Sequence, residues 1–543
     1  MRVGVDVGGT NTDAVLMEGE KVVAWTKCPT SPEVSVGVAA AIDAVIGKAG
    51  IERQSISSVM VGTTHFTNAL VERNGLDRVG VLRLASPSGE ALPPMTDWPA
   101  DLASAVGDAV FLLPGGYEVD GREIAPLDEG KIREAARDLR RKRISAVAIA
   151  SVFAPLNAGM ENRAAAILKE EHPDASITLS SAIGRIGLIE RENAAILNAA
   201  LTTLAGRIVV SFESALRDLG IAAPLYITQN DGTLISAARA AAYPVTTIGS
   251  GPTNSMRGAA FLTGCRDAIV MDVGGTTTDI GVLTSGFPRE SSIAVDIGGV
   301  RTNFRMPDVL ALGFGGGTRV HLDPALYRSN RLDESSLRIG PDSVGYRITE
   351  EAMIFGGGVL TASDVAVAAG QARFGDPARL PSFSPAALAC ILTRFRRMLE
   401  EGIDRMKTSR EGATVLAVGG GSFLIPEPLT GASRIIRAPH AHVANAVGAA
   451  IAQVGWQVEQ VVNYDSVPRA TVMERLRAEA RSRVIAAGGD PATVEVVDVE
   501  EIFLSYLSGR TAQVRVRAVA DLGSGFAQAE VRGEATSGVI DAH

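Results

Sequence analysis

Cysteine is scarce: Cys28, Cys265 and Cys390 are the three thiols in 543 residues, far apart and without a CxxC pair. They cannot build a four-cysteine cluster, so the thiols read as buried or incidental. A basic excess is also missing. The net charge of −9 excludes a general nucleic-acid or membrane-surface role. It does not exclude a nucleotide, because backbone N–H groups and one metal ion hold phosphates without a basic patch. Long apolar runs are absent too. The longest, near Ile144 to Leu156, falls short of the roughly 18 residues that span a bilayer. Met1-Arg2 passes directly into Val3-Gly4-Val5-Asp6 with no apolar leader, so the expected location is the cytoplasm, with neither membrane nor nucleic acid as partner.

What the chain has in abundance is glycine, 58 residues against a usual share of roughly 7%. Such an excess points to tight turns and to loops where backbone approaches a ligand. With 46% apolar and 21% charged residues the chain reads as compact and globular. Its length calls for two or three domains.

One internal repeat organises the rest. Residues 3–16 read VGVDVGGTNTDAVL and residues 270–283 read VMDVGGTTTDIGVL, sharing DVGGTxTD at seven of eight positions. Each copy is an apolar strand, an Asp, a Gly-Gly-Thr turn and a second apolar strand. The strands lie too close for an intervening helix, so each unit is a β-hairpin. Lys21 to Trp25 supplies a third strand. A helix is expected next, with Pro32 in its first turn after Thr30 or Ser31, and Val34, Val38, Ile42, Val45 and Ala49 along one face. Ala146 to Ala150, Leu225 to Thr228, Val415 to Val418 and Ala512 to Val519 read as strands; residues 162–170, 190–204 and 469–487 read as helices. This alternation indicates an α/β protein. Boundaries are placed near 190 and 455, giving units 1–190, 191–455 and a small α+β appendage, 456–543.

The paired hairpins carry the chemistry. Turn glycines let backbone amides face an anion, threonines add hydroxyl donors, and an Asp at the strand end can hold Mg²⁺ directly or through water. Two near-identical copies are what two similar lobes need to bring a phosphate loop each to one nucleotide. The expected phosphate-binding set is Gly8, Gly9, Thr10, Asn11 and Thr12 with Gly274, Gly275, Thr276, Thr277 and Thr278. Asp6 and Asp272 are assigned to the metal, Asp272 also as a candidate base. Asp13 and Asp279 are candidate catalytic residues, with bracing of the turn as the other reading.

This layout resembles the actin, heat-shock chaperone and sugar-kinase superfamily. The resemblance implies two ribonuclease-H-like lobes around an ATP cleft, with Gly419-Gly420-Gly421 passing the adenosine and Ala444 to Ala450 as a small-residue helix touching the partner lobe. Within it, the chain resembles hydantoinase/oxoprolinase proteins, on segments running from residue 3 to about 450. Gly62-Thr63-Thr64-His65-Phe66-Thr67-Asn68-Ala69 is similar to that family's GTTxxTNA. Glu190 to Leu201, Gln229-Asn230-Asp231-Gly232, Gly249-Ser250-Gly251-Pro252, Gly313 to Thr318 and Thr361 to Asp364 resemble further family segments in order. On this resemblance Thr63, Thr64, Asn68, Asn230, Gly315 and Gly316 are expected to meet substrate. The chain departs from the pattern in Gly313-Phe314-Gly315 and in the tail at Leu504 to Arg510, and longer family members continue beyond a position equivalent to His543.

The resemblance implies ATP-dependent hydrolysis of a small cyclic amide (hydantoin, 5-oxoproline or another lactam) with ATP and Mg²⁺, a homo- or hetero-oligomer, and a second hydrolase subunit as a possible partner. Two readings stay open beside it: a sugar-type kinase releasing a phosphorylated product, and an ATP-driven reactivating chaperone or carboxylase subunit. His65 reads as a structural histidine, and His440 with His442 supplies two ligands where zinc needs more.

Overall fold

A computed structural model of the chain describes residues 1–31, 33–291, 295–304, 306–330, 332–504 and 509–523. Both repeats fold as antiparallel hairpins in identical register. Arg2–Val7 pairs with Asn11–Glu18, setting Asp6 opposite Asp13. Ala268–Val273 pairs with Thr278–Thr284, setting Asp272 opposite Asp279. In the first hairpin Val3, Val5, Ala14, Val15 and Leu16 are fully buried, as a strand covered on both faces must be.

Each hairpin seeds a sheet of the same order. In the first, Lys21–Pro29 flanks the hairpin on one side, and Ser58–Thr63 and Leu225–Thr228 follow in parallel on the other. In the second, Phe287–Pro288 and Val309–Leu312 flank the hairpin, and Ala413–Val418 and Ala432–Ile436 follow in parallel. Three antiparallel strands continued by two parallel ones, used twice, make two ribonuclease-H-like lobes. A separate parallel sheet of Ala109–Pro114, Val79–Ser86, Ala146–Ser151 and Ser176–Leu179 is inserted into the first lobe.

Strand pairing crosses both expected boundaries. Leu225–Thr228 and Thr233–Ser236 lie beyond residue 190 yet complete the first sheet. Gln453–Asn463 pairs with Thr233–Ser236 and brings Thr511–Ala520 and Glu495–Phe503 with it, extending that sheet to nine strands. The tail is therefore an edge of the first lobe. Hydrogen-bond donors left open on Thr233–Ser236 give it a place to dock, which no local pattern reveals.

The expected first helix runs Val34–Ala49, with Glu33 at its N-cap; Pro32 lies outside the described residues, as do Ser505 to Ser508 of the divergent tail. The helix expected over 190–204 extends to Leu188–Asp218. It is long and apolar enough to cross a bilayer, but 61% of its apolar window is buried within the protein. Its Glu192 forms a buried ion pair with Arg83 at 2.5 Å. Two further helices, Ser250–Thr263 and Ala444–Ile451, cross backbone to backbone. A Cβ on Gly448 would sit 1.8 Å from the Asn254 carbonyl oxygen, and one on Gly258 1.9 Å from that of Ala444. This crossing brings side chains from both helices to the two hairpins.

Candidate functional site

The hairpin turns close in the same way, Gly8 N–H donating to the Asn11 carbonyl at 3.0 Å and Gly274 N–H to that of Thr277 at 2.8 Å. They face each other across a cleft of ≈ 580 Å³. Their tips nearly touch: a Cβ on Gly275 would stand 3.1 Å from Thr10 Oγ1. Each strand-end Asp is sheltered by a glycine on the neighbouring parallel strand or its end. A Cβ at Gly62 would fall 2.4 Å from Asp6 Oδ1, and one at Gly419 2.2 Å from Asp272 Oδ1. Both carboxylates fit only because those positions lack side chains.

Adjacent residues of the Ser250–Thr263 helix hold the two carboxylates. Asn254 Nδ2 donates to Asp6 Oδ1 and to Thr228 Oγ1, both at 3.0 Å, while Ser255 hydrogen-bonds Asp272. On the crossing helix, Asn445 Nδ2 donates to Asp6 Oδ2 at 3.1 Å and to Asp13 Oδ2 at 3.0 Å. Lys27 Nζ reaches Asp13 at 2.6 Å from the third strand. Burial pushes Asp6 up to about 6, with Asp13 and Asp272 adding repulsion against the lowering hydrogen bonds of Asn254 and Asn445. Burial also raises Asp272, and it pushes Asp279 up to about 7 with help from the Asp272 charge.

Of the expected residues, Asp6, Gly8, Gly9, Thr10, Asn11, Asp13, Asp272, Gly274, Gly275, Thr276, Thr277, Asp279 and the Gly419–Gly421 turn line this one cleft, together with Thr64 and Gly316. The rest sit elsewhere. Thr12 and Thr278 alternate inward along their strands and are buried, Thr278 Oγ1 donating to the Phe314 carbonyl at 2.5 Å. Thr63 is buried, its hydroxyl accepting from His65 N–H at 3.2 Å. Asn68 lies on the helix that follows. Gly315 packs behind the second turn, where a Cβ would meet the Gly274 carbonyl oxygen at 2.8 Å; Gly316 and Gly317 donate to the Gly274 and Gly275 carbonyls. The glycine-rich stretch thus clamps the second turn. Asn230 opens onto a different cavity.

Sequence reasoning missed Lys27, Asn254, Ser255 and the aromatic wall. Phe355, Phe374 and Phe423 line the cleft, Phe374 packing edge-on to Phe423 at 5.4 Å. His442 also lines it, its ring edge-on to Trp25 at 4.3 Å, with burial lowering its pKa. The closeness of Gly249-Ser250-Gly251-Pro252 to Asn254 was the one available signal. Thr361 to Asp364 proves to be a helix capping box.

The carboxylates suit a divalent cation. Among the described residues no three His, Cys, Asp or Glu side chains form a cage, but Mg²⁺ uses one or two carboxylates plus phosphate and water. Asp6 and Asp272 are the pair available; burial raises the Asp6 pKa most, and a cation would relieve the added repulsion from Asp13 and Asp272.

The sequence pattern of the hydantoinase/oxoprolinase N-terminal region matches residues 2–172, and that of hydantoinase/oxoprolinase matches residues 191–376. The chain belongs to the hydantoinase/oxoprolinase family. Within the family it is 29% identical over 365 residues to caprolactamase subunit alpha of Pseudomonas jessenii, covering 63% of this chain and 51% of that one. It is 26% identical over 399 residues to the acetophenone carboxylase gamma subunit of Aromatoleum aromaticum, covering 68% and 53%. The chain thus spans about half the length of these relatives. Among solved structures, the ATP-dependent caprolactamase of Pseudomonas jessenii shares its fold with a TM-score of 0.75 at 22% identity, over 96% of this chain and 87% of that one. Nucleotide-free acetone carboxylase gives 0.68 at 17% identity, over 96% and 88%.

Proposed function

We propose that this protein is the ATP-using component of an enzyme that activates a cyclic amide by phosphorylating its oxygen, acting with a second subunit. The observation that carries the reading is the pair of hairpin turns facing one cleft, each with a carboxylate at its strand end, Asp6 buried and Asp272 half-buried. Backbone amides of the two turns and the Thr10 and Thr276 hydroxyls would hold the phosphates, and Phe355, Phe374 and Phe423 would cover a flat base. Mg²⁺, held by Asp6 and Asp272, would supply charge neutralisation at the phosphates.

A lactam carbonyl is resonance-stabilised and poorly electrophilic. In the reaction the γ-phosphorus–oxygen bond to ADP breaks as one forms to the amide oxygen, leaving an electrophilic imidate carbon. Water adds there, the ring nitrogen takes a proton and departs, and an acyl phosphate remains. A second water releases inorganic phosphate and the open amino acid. Asp272, which lines the cleft, would be the candidate base for the first water. Aligned donors and excluded water carry most of the rate.

Two relatives are named as subunits of ketone carboxylases, the second being the acetone carboxylase beta subunit of Xanthobacter autotrophicus at 23% identity. They support a second reading, in which the phosphoryl group goes to an oxygen acceptor ahead of carboxylation. The test is ADP release with Mg²⁺ from hydantoins, 5-oxoproline, simple lactams, ketones with bicarbonate, and sugars. Ring-opened amino acid with equimolar phosphate supports the amide reading. A carboxylated ketone supports the second, and a stable sugar phosphate overturns both.

A further inference from the structure

A second cavity of ≈ 390 Å³ opens between the Ser181–Ile186 loop, the Gln229–Asp231 turn and the Gln453–Asn463 strand. Among the described residues it shares no lining residue with the phosphate cleft. The first turn of the Ser250–Thr263 helix stands between them: Gly251 and Pro252 line the cleft, while Thr253 Oγ1 donates to the Asn230 carbonyl at 2.8 Å. Its size suits a metabolite.

Arg239 decides what it would take. The guanidinium carbon lies 4.6 Å from the centroid of Trp456 and 5.1 Å from that of Tyr243. Contacts of this kind engage the π faces of the guanidinium and leave its in-plane N–H fork available. Arg239 is exposed to the cavity and has no carboxylate partner among the described residues. Arg185, on the same cavity wall, has none either. Among the described residues two acids line the cavity, Asp231 and Glu459, and both accept hydrogen bonds from neighbours other than the arginines. Asp231 Oδ1 accepts from Thr233 N–H and Oγ1 at 3.0 and 2.6 Å, and Glu459 accepts from Gln457 and Gln513. An arginine fork held over two aromatic rings, without a carboxylate partner among the described residues, in a concave site matches the two oxygens of a carboxylate.

We propose that this cavity is a second small-molecule site that takes an organic carboxylate, bound bidentately by Arg239 with Trp456 packed alongside. The site is independent of the nucleotide cleft, so the proposal stands apart from the reaction assigned to that cleft. The ligand is either a carboxylate-bearing substrate or an effector that is not consumed.

The experiment uses the full chain without nucleotide. Titration calorimetry and Trp456 fluorescence compare 5-oxoproline with 2-pyrrolidone, which differ in the carboxylate alone, beside glutarate and benzoate. At least one acid is expected to bind at least tenfold more tightly than its uncharged counterpart. Arg239→Gln should weaken that binding at least tenfold and Arg239→Lys less, with thermal midpoint and ADP affinity unchanged. Equal affinity for acid and neutral partners, no binding by any acid, or full binding by Arg239→Gln overturns the proposal. Adding ATP and Mg²⁺ then separates the sources: consumption of the bound acid identifies a substrate, and its recovery intact identifies an effector.

Discussion

In the first hairpin Asp13 meets Lys27 at 2.6 Å and Asn445 at 3.0 Å. At the equivalent position of the second, the Asp279 side chain has no hydrogen-bond or ion-pair partner among the described residues, and its pKa is pushed up to about 7. The contrast originates on the neighbouring strands. Lys27 sits cross-strand from Asp13, whereas Ala311 sits cross-strand from Asp279. Nearly identical octapeptides therefore give one charge-compensated carboxylate and one that holds its proton near neutrality. The repeat encodes the turn, and its surroundings set the electrostatics.

The largest effect is expected where the hairpins are alike. Asp6→Asn and Asp272→Asn should each lower ATP turnover by about 10³-fold or more while circular dichroism stays unchanged. Activity within tenfold of wild type in one variant would show that the two lobes are not equivalent at the metal. Next comes the compensated hairpin. Lys27→Ala leaves Asp13 without its cation and should cost about 1–3 kcal/mol in urea unfolding, less than a fully buried pair because Lys27 is 28% exposed.

The uncompensated hairpin should behave in the opposite sense. The Asp279 pKa is raised from 3.8 to about 7, so its folded protonated form contributes stability that is present below about pH 4 and lost as pH rises through 7. Asp279→Asn, measured with chelator present, should be more stable than wild type at pH 8, and the gap should close as pH falls towards 4. Ala311→Lys sharpens the same point: a cation opposite Asp279 should draw its titration back towards the ordinary carboxylate range, read from the pH dependence of the unfolding midpoint. The smallest effect is expected from replacing Cys28, Cys265 and Cys390 together by Ser. All three are free and partly buried, and none lines the cleft, so activity should stay within about twofold of wild type.

Legibility followed sequence distance. The hairpins, the first helix and the Gly419–Gly421 turn could be read because strand alternation, turn glycines and helical periodicity act over a few residues. Thr12 and Thr278 turn away from the cleft because side chains alternate along a strand, a rule that was available in the sequence. Lys27, Asn254, Ser255 and Asn445 were not legible. Asn445 reaches Asp6 across 439 positions, and no local pattern marks a lone asparagine or lysine as the partner of a buried carboxylate.

The chain by itself determined the two Gly-Gly-Thr turns, the strand-end carboxylates and the α/β class, since each rests on local geometry and periodicity. Tertiary structure decided the rest. It sent the C-terminal strands to the edge of the first sheet and set Asn254 and Ser255 on one helix between two carboxylates. It also left Asp279 without a counter-charge among the described residues. These outcomes depend on which open strand edge and which burial a distant segment finds, and those are properties of the packed molecule alone.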